Sequence, residues 1–86
     1  MNNNVKFSFK VKKAKEIQNR GILVTGKIQH GHILVGDIVN VIENDSVSTA
    51  ECIDIEFPLF SRDDINLLLR GITKPNPQNN VRIIIL

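Results

Sequence analysis

An all-β fold of small-barrel type is what the 86-residue sequence predicts, and three observations predict it. Apolar and polar residues alternate over several short segments, the period-2 pattern of strands buried on one face. Turn signals separate these segments at close spacing, which argues for a small sandwich or barrel. Gly26 interrupts one apolar face between Val24 and Ile28. A strand accepts a glycine where it bends at a barrel corner, bulges, or lets another backbone approach. Interior positions of small barrels also alternate large and small, and Val24-Gly26-Ile28 fits that. Without such a role the glycine would only cost about 0.5–1 kcal/mol against alanine. Closure suits the terminal VRIIIL as well, because an open edge of that composition would aggregate.

The elements follow in order. Residues 1–5, with three asparagines, bury nothing and are expected to be disordered, leaving 6–86 as the single domain. Val5, Phe7, Phe9 and Val11 alternate with Lys6, Ser8, Lys10 and Lys12, so a strand is expected over 5–11. Residues 12–21 are polar and end in the turn signal Asn19-Arg20-Gly21. Ile22 to His30 alternates again until Gly31, where His30 and His32 flank a glycine turn, and a short strand follows it up to Gly36. Gly36-Asp37 marks a further turn before a strand from Ile38 to Ile42. Glu43 to Ser46 is turn chemistry, since Asn and Asp tolerate left-handed geometry. Val47 to Phe57 reads as a strand ended by Pro58. In LFSRDDINLLLRG, Ser61 could cap a short helical turn with Asp64 three residues on, but the apolar run Ile65–Leu69 argues for a strand. Thr73 to Asn80 is a loop by composition, and Val81 to Leu86 is the last strand.

Composition narrows the classes of function. No apolar run is long enough to cross a bilayer, and MNNNVKFSFK lacks the apolar stretch of a signal peptide. Cys52 is the single cysteine, so no intrachain disulfide forms. A cytoplasmic location is the expectation. The net charge of +2 hides an asymmetry: residues 1–40 hold seven Lys/Arg and two Asp/Glu, residues 41–86 four and seven. The basic run Lys6, Lys10, Lys12, Lys13, Lys15 and Arg20 fits a phosphate-attracting surface or a solvated edge strand whose lysines discourage aggregation.

One long motif is distinctive. NRGILVTGKIQHGHILVGDIVNVI resembles the β-barrel second domain of translational GTPases of the elongation factor Tu type. Arg20-Gly21, Val24-Thr25-Gly26-Lys27-Ile28, Gly31, Ile33, Val35-Gly36-Asp37 and Val39 all match in register. LLLRGI, Leu67 to Ile72, resembles a second strand and turn of that family, and the resemblance covers nearly the whole chain from Phe7. It implies a six-stranded Greek-key barrel, the translation-protein barrel. The chain has no Gly-x-x-x-x-Gly-Lys-Ser/Thr phosphate loop, so it resembles the second domain without its GTPase domain and no GTP hydrolysis is expected. In the family this domain helps hold the aminoacyl end of tRNA, and its Gly-Arg-Gly loop side touches the small ribosomal subunit. Asn19-Arg20-Gly21 stands in for that loop, and Lys27 keeps the family's basic charge. The family residues around the terminal adenosine of tRNA correspond to Asp54, Phe57 and Asp64. Asp63 and Asp64 would repel phosphate there, so the resemblance carries the fold and not aminoacyl-tRNA binding.

Catalytic chemistry finds little footing. His30 and His32 lack neighbouring ligands for a metal and read as surface residues. Cys52 reads as a small buried hydrophobe without a basic neighbour to activate it. Asp63-Asp64 reads as a solvated or capping pair. Nothing composes an active site, and no cofactor or metal is expected. With four phenylalanines and neither Trp nor Tyr, stacking platforms are sparse, though Phe57 and Phe60 are candidates for exposure. RNA would be met through phosphate contacts and shape. The expectation is a non-catalytic binding module with a protein or ribonucleoprotein partner, using Arg20, Lys27, Arg70 and Lys74. Arg70 and Gly71 lie where a strand leaves the barrel, a usual place for contacts. The alternative is a protein-directed adaptor or antagonist without nucleic-acid contact. VRIIIL is a candidate strand edge for a homodimer.

Overall fold

The structure, a computed structural model, describes residues 5–59 and 63–86. Its strands are β1 (Phe7–Ile17), β2 (Gly21–Gly31), β3 (Ile38–Glu43), β4 (Ser46–Glu56), β5 (Asp64–Arg70) and β6 (Arg82–Ile85), with a 3-10 turn at Pro77–Asn79. They close into an antiparallel barrel in the order β1-β2-β5-β4-β3-β6. β3, β4 and β5 are consecutive neighbours, and β2 lies beside β5, which is Greek-key order. No helix among the described residues is long and apolar enough to cross a membrane. The expectations on residues 1–4, Phe60 and Ser61 fall outside the described residues; Val5 is partly buried.

Alternation fills the interior as read from the sequence. Phe7, Phe9, Val24, Val39, Leu67, Leu69, Val81 and Ile83 are fully buried, and Cys52 lies among them. The Phe7 and Phe9 rings stack at 6.2 Å between centroids. β6 pairs with β1 on one side and with β3 on the other, so VRIIIL has a neighbour on each flank.

Two stretches differ from expectation. β1 does not stop near Val11 but runs on to Ile17. A bulge between Val11 and Lys13 leaves Lys12 unopposed, and the register resumes at Lys13↔Thr25 and Ala14↔Val24. The extra residue shifts the phase of the alternation, so its continuation looks like a polar loop. Beyond Val11, whose N–H still donates to the Val81 carbonyl at 3.1 Å, the described β1 pairs run only toward β2, which gives Lys12, Lys13 and Lys15 an edge-strand setting. The second difference is at His30-Gly31-His32, which is a strand end and not a hairpin turn: His30 and Gly31 belong to β2. β2 and β3 are not neighbours in the barrel, so residues 32–37 must cross its end and Ile33–Val35 forms no strand. That crossing is pinned to β4 by Gly36 N–H to the Cys52 carbonyl (2.7 Å) and Cys52 N–H to the Asp37 carbonyl (2.9 Å).

Gly26 faces inward, but the space beside it is not empty. A methyl group there would run into the Lys10 carbonyl oxygen and reach 3.0 Å from the edge of the Phe9 ring. The glycine is explained by the close approach of β1 just before its bulge, not by a taper of large and small side chains.

Candidate functional site

β5 carries three consecutive leucines, and a barrel strand has only one inner face. Leu67 and Leu69 point into the core cluster. Leu68 faces outward and is nevertheless only 4% exposed, without belonging to that cluster. It is covered from outside. Leu23 and Asp54 are its register neighbours on β2 and β4. A bulge between Cys52 and Asp54 sets Asp54 opposite Leu68.

The β1–β2 turn supplies the rest of the cover. Asn19 takes a left-handed conformation (φ 64°), and the Arg20 N–H donates to the Ile17 carbonyl at 3.0 Å. Gly21, at φ 146°, packs so closely that a methyl group would strike the Leu69 carbonyl. The turn is thereby pressed onto β5. The result is a cavity of about 100 Å³ lined by Ile17, Arg20, Leu23, Asp54, Glu56 and Leu68. Its floor is aliphatic, and its rim carries one guanidinium and two carboxylates. No ion pair ties Arg20 to either carboxylate among the described residues. The arrangement can take one small apolar or planar group and offer it both donors and acceptors.

Of the four cations expected to bind, only Arg20 lines this cavity. Lys27 stands opposite Asp64 in register, with its Nζ 4.0 Å from Asp63 Oδ2. Arg70 is at the other end of β5, where Nη2 donates to Glu51 Oε1 at 3.0 Å. Six residues of strand separate the two ends, roughly 20 Å. Lys74 is exposed in the segment after β5. The four therefore do not form one patch.

The positions matched to the family's adenosine contacts are also dispersed. Asp54 lines the cavity, whereas Phe57 is 74% exposed elsewhere. Asp64 accepts a 2.7 Å hydrogen bond from Lys12 Nζ, which holds its carboxyl below the usual range. The acidic pair is thus set among lysines and is not an uncompensated negative patch.

Sequence reasoning missed Ile17, Leu23, Glu56 and Leu68. The available signal was Leu67-Leu68-Leu69, because a strand with one wet face has no use for an apolar residue on it. His30 and His32 line separate grooves, and no group of three or more His, Cys, Asp or Glu is placed to hold a metal among the described residues. Burial pushes the Cys52 thiol up. No protein-family model matches the chain.

Proposed function

We propose that the protein is a non-catalytic, cytosolic binding module of the translation-factor second-domain kind, and that it holds a protein or ribonucleoprotein partner at the outer cavity. The observation that carries this reading is Leu68, a leucine buried on the outside of a closed barrel beneath an arginine. An aliphatic floor rimmed by charges that form no ion pair among the described residues supports a recognition surface. The long motif from Asn19 to Ile42 supports the translational kinship, and its retained arginine, Arg20, is the residue over the cavity.

Co-sedimentation with purified small ribosomal subunits tests the proposal. The wild-type chain is expected to pellet with the subunits. Arg20→Glu and Leu23→Glu should each reduce pelleting by about tenfold, the loss of about 1.4 kcal/mol or more expected at a contact that dominates its interface. Wild-type protein left in the supernatant would remove the translational partner, and undiminished pelleting of both variants would remove the cavity from the contact. The protein-directed adaptor is the second reading. It predicts binding that persists as salt rises, where an RNA contact weakens steeply.

A further inference from the structure

A second surface lies around the barrel from the cavity, on β6, β1 and β2. Lys10 stands between Arg82 on one neighbouring strand and Lys27 on the other. All three are exposed, each flanked along its strand by an inward residue such as Phe9, Gly26 or Ile83. Direct cross-strand neighbours have Cβ atoms about 4.5–5.5 Å apart, and like charges so placed destabilise a sheet. The row ends where Lys27 meets two carboxylates: Asp64 opposite it on β5, which accepts from Lys12 Nζ at 2.7 Å, and Asp63, whose Oδ2 lies 4.0 Å from Lys27 Nζ. Lys10 Nζ donates to a neutral oxygen, Asn80 Oδ1, at 3.1 Å. No ion pair involving Arg82 or Lys10 occurs among the described residues.

An open groove of about 410 Å³ runs beside the row, lined by Val5, Ser8, His30 and Arg82. Ser8 and His30 are register partners two rungs along from the row, on the same outer face. The groove thus offers a hydroxyl, an imidazole and a guanidinium, and no carboxylate lines it. The imidazole and guanidinium can donate to phosphate oxygens, and the Ser8 hydroxyl, which donates to Gln29 Oε1 at 3.4 Å, can rotate to do so. The row crosses three strands at about 4.8 Å spacing, so it spans roughly 10 Å, longer than one phosphate group needs. No Phe, Tyr or Trp lines the groove, so it lacks the large stacking platforms on which successive bases are read.

We infer that Arg82, Lys10 and Lys27, with Ser8 and His30 beside them, bind the phosphate backbone of a nucleic acid without reading its sequence. Repulsion within the row is relieved when a polyanion lies along it. The site is distinct from the cavity under Arg20, and it stands whether or not that cavity binds a partner.

The test is fluorescence anisotropy of the full chain with a labelled oligouridylate of about 20 nucleotides. Three phosphate contacts to a single strand give a salt slope near −2, about twentyfold weaker binding between 50 and 200 mM salt. The triple variant Arg82→Gln, Lys10→Gln, Lys27→Gln should bind at least about tenfold more weakly at the lower salt and lose most of that slope, with a melting temperature no lower than the wild type's, since the repulsion within the row is removed. Lys15→Gln removes one charge from the same strand away from the row, and should weaken binding less than Arg82→Gln. Val47→Thr, at an exposed and uncharged position of β4 outside both sites, should leave the salt slope unchanged. The inference is overturned by absent saturable binding in the wild type or by a triple variant that binds equally well. Equal effects of Lys15→Gln and Arg82→Gln would reduce it to net charge. Equal competition by polyglutamate of the same length would replace the nucleic acid by an acidic protein.

Discussion

Gly26 and Gly36 are both glycines near strand ends or bends, yet different constraints hold them. At Gly26 the obstacle is steric, since a methyl group meets the Lys10 carbonyl across the β1–β2 pair. At Gly36 nothing lies within 4 Å, and the only objection to a side chain is the backbone at φ 100°. Gly26→Ala should therefore cost about 1–3 kcal/mol, the range for overpacking a tight interior. Gly36→Ala should cost about 1 kcal/mol, from positive φ alone. Denaturant unfolding of the two variants measures this, and a smaller loss at Gly26 than at Gly36 would contradict the steric account. The sequence marked Gly26 as anomalous because it breaks an apolar face. It did not say what fills the space, because the answer is main chain from another strand. Leu68 was visible in the same way, as one leucine too many, and its cover of Ile17, Arg20 and Leu23 was not.

At the scale of elements, the strands were legible wherever alternation kept its phase, and the β3–β4 connection was legible from its turn residues. Asn44 takes the left-handed conformation there, at φ 55°. The tie between that hairpin and the 3-10 turn was not legible. Glu43 Oε2 accepts from the Asn76 N–H at 3.1 Å and from Asn79 Nδ2 at 2.6 Å. These bonds hold the Glu43 carboxyl below its usual 4.5, the Asn79 side chain contributing most. The folded state thus binds the proton more weakly than the unfolded state. The stability from this clamp is present above the ordinary value and lost as pH falls through the lowered one. Comparing unfolding free energies at pH 7 and at about pH 3.5, the wild type should lose more than Glu43→Gln, which has no carboxyl to protonate. Equal losses would mean that the clamp contributes nothing to acid sensitivity.

At the scale of the molecule, closure joins the two ends of the chain. β6 pairs with β1 at Phe7↔Ile85 through Lys10↔Arg82, and with β3 at Asn40↔Ile84 through Ile42↔Arg82. It also contributes Ile83 to the core. Deleting residues 82–86 would leave β1 and β3 with open ladders and uncover the apolar interior. We expect the truncated chain to lose its cooperative thermal transition and to bind a hydrophobic dye or aggregate. A monomeric truncated chain that melts cooperatively would show that closure is dispensable. Pairing between ends so distant in sequence also predicts slow folding, since the loop must close before the contacts form.

Where the alternation kept its phase, which residues make strands and which faces turn inward were properties of the sequence; the continuation of β1 to Ile17 and the crossing at residues 32–37 were not. Side-chain direction alternates between consecutive residues of a strand, and the turn residues act on their own backbone. A barrel-type β fold could be argued from those local facts. Tertiary structure alone decided the neighbours: Arg20 above Leu68, Lys12 on Asp64, and Arg82 beside Lys10 beside Lys27. Those placements depend on hydrogen-bond register between strands up to about seventy residues apart, and two single-residue bulges in the β1–β2 pair shift that register.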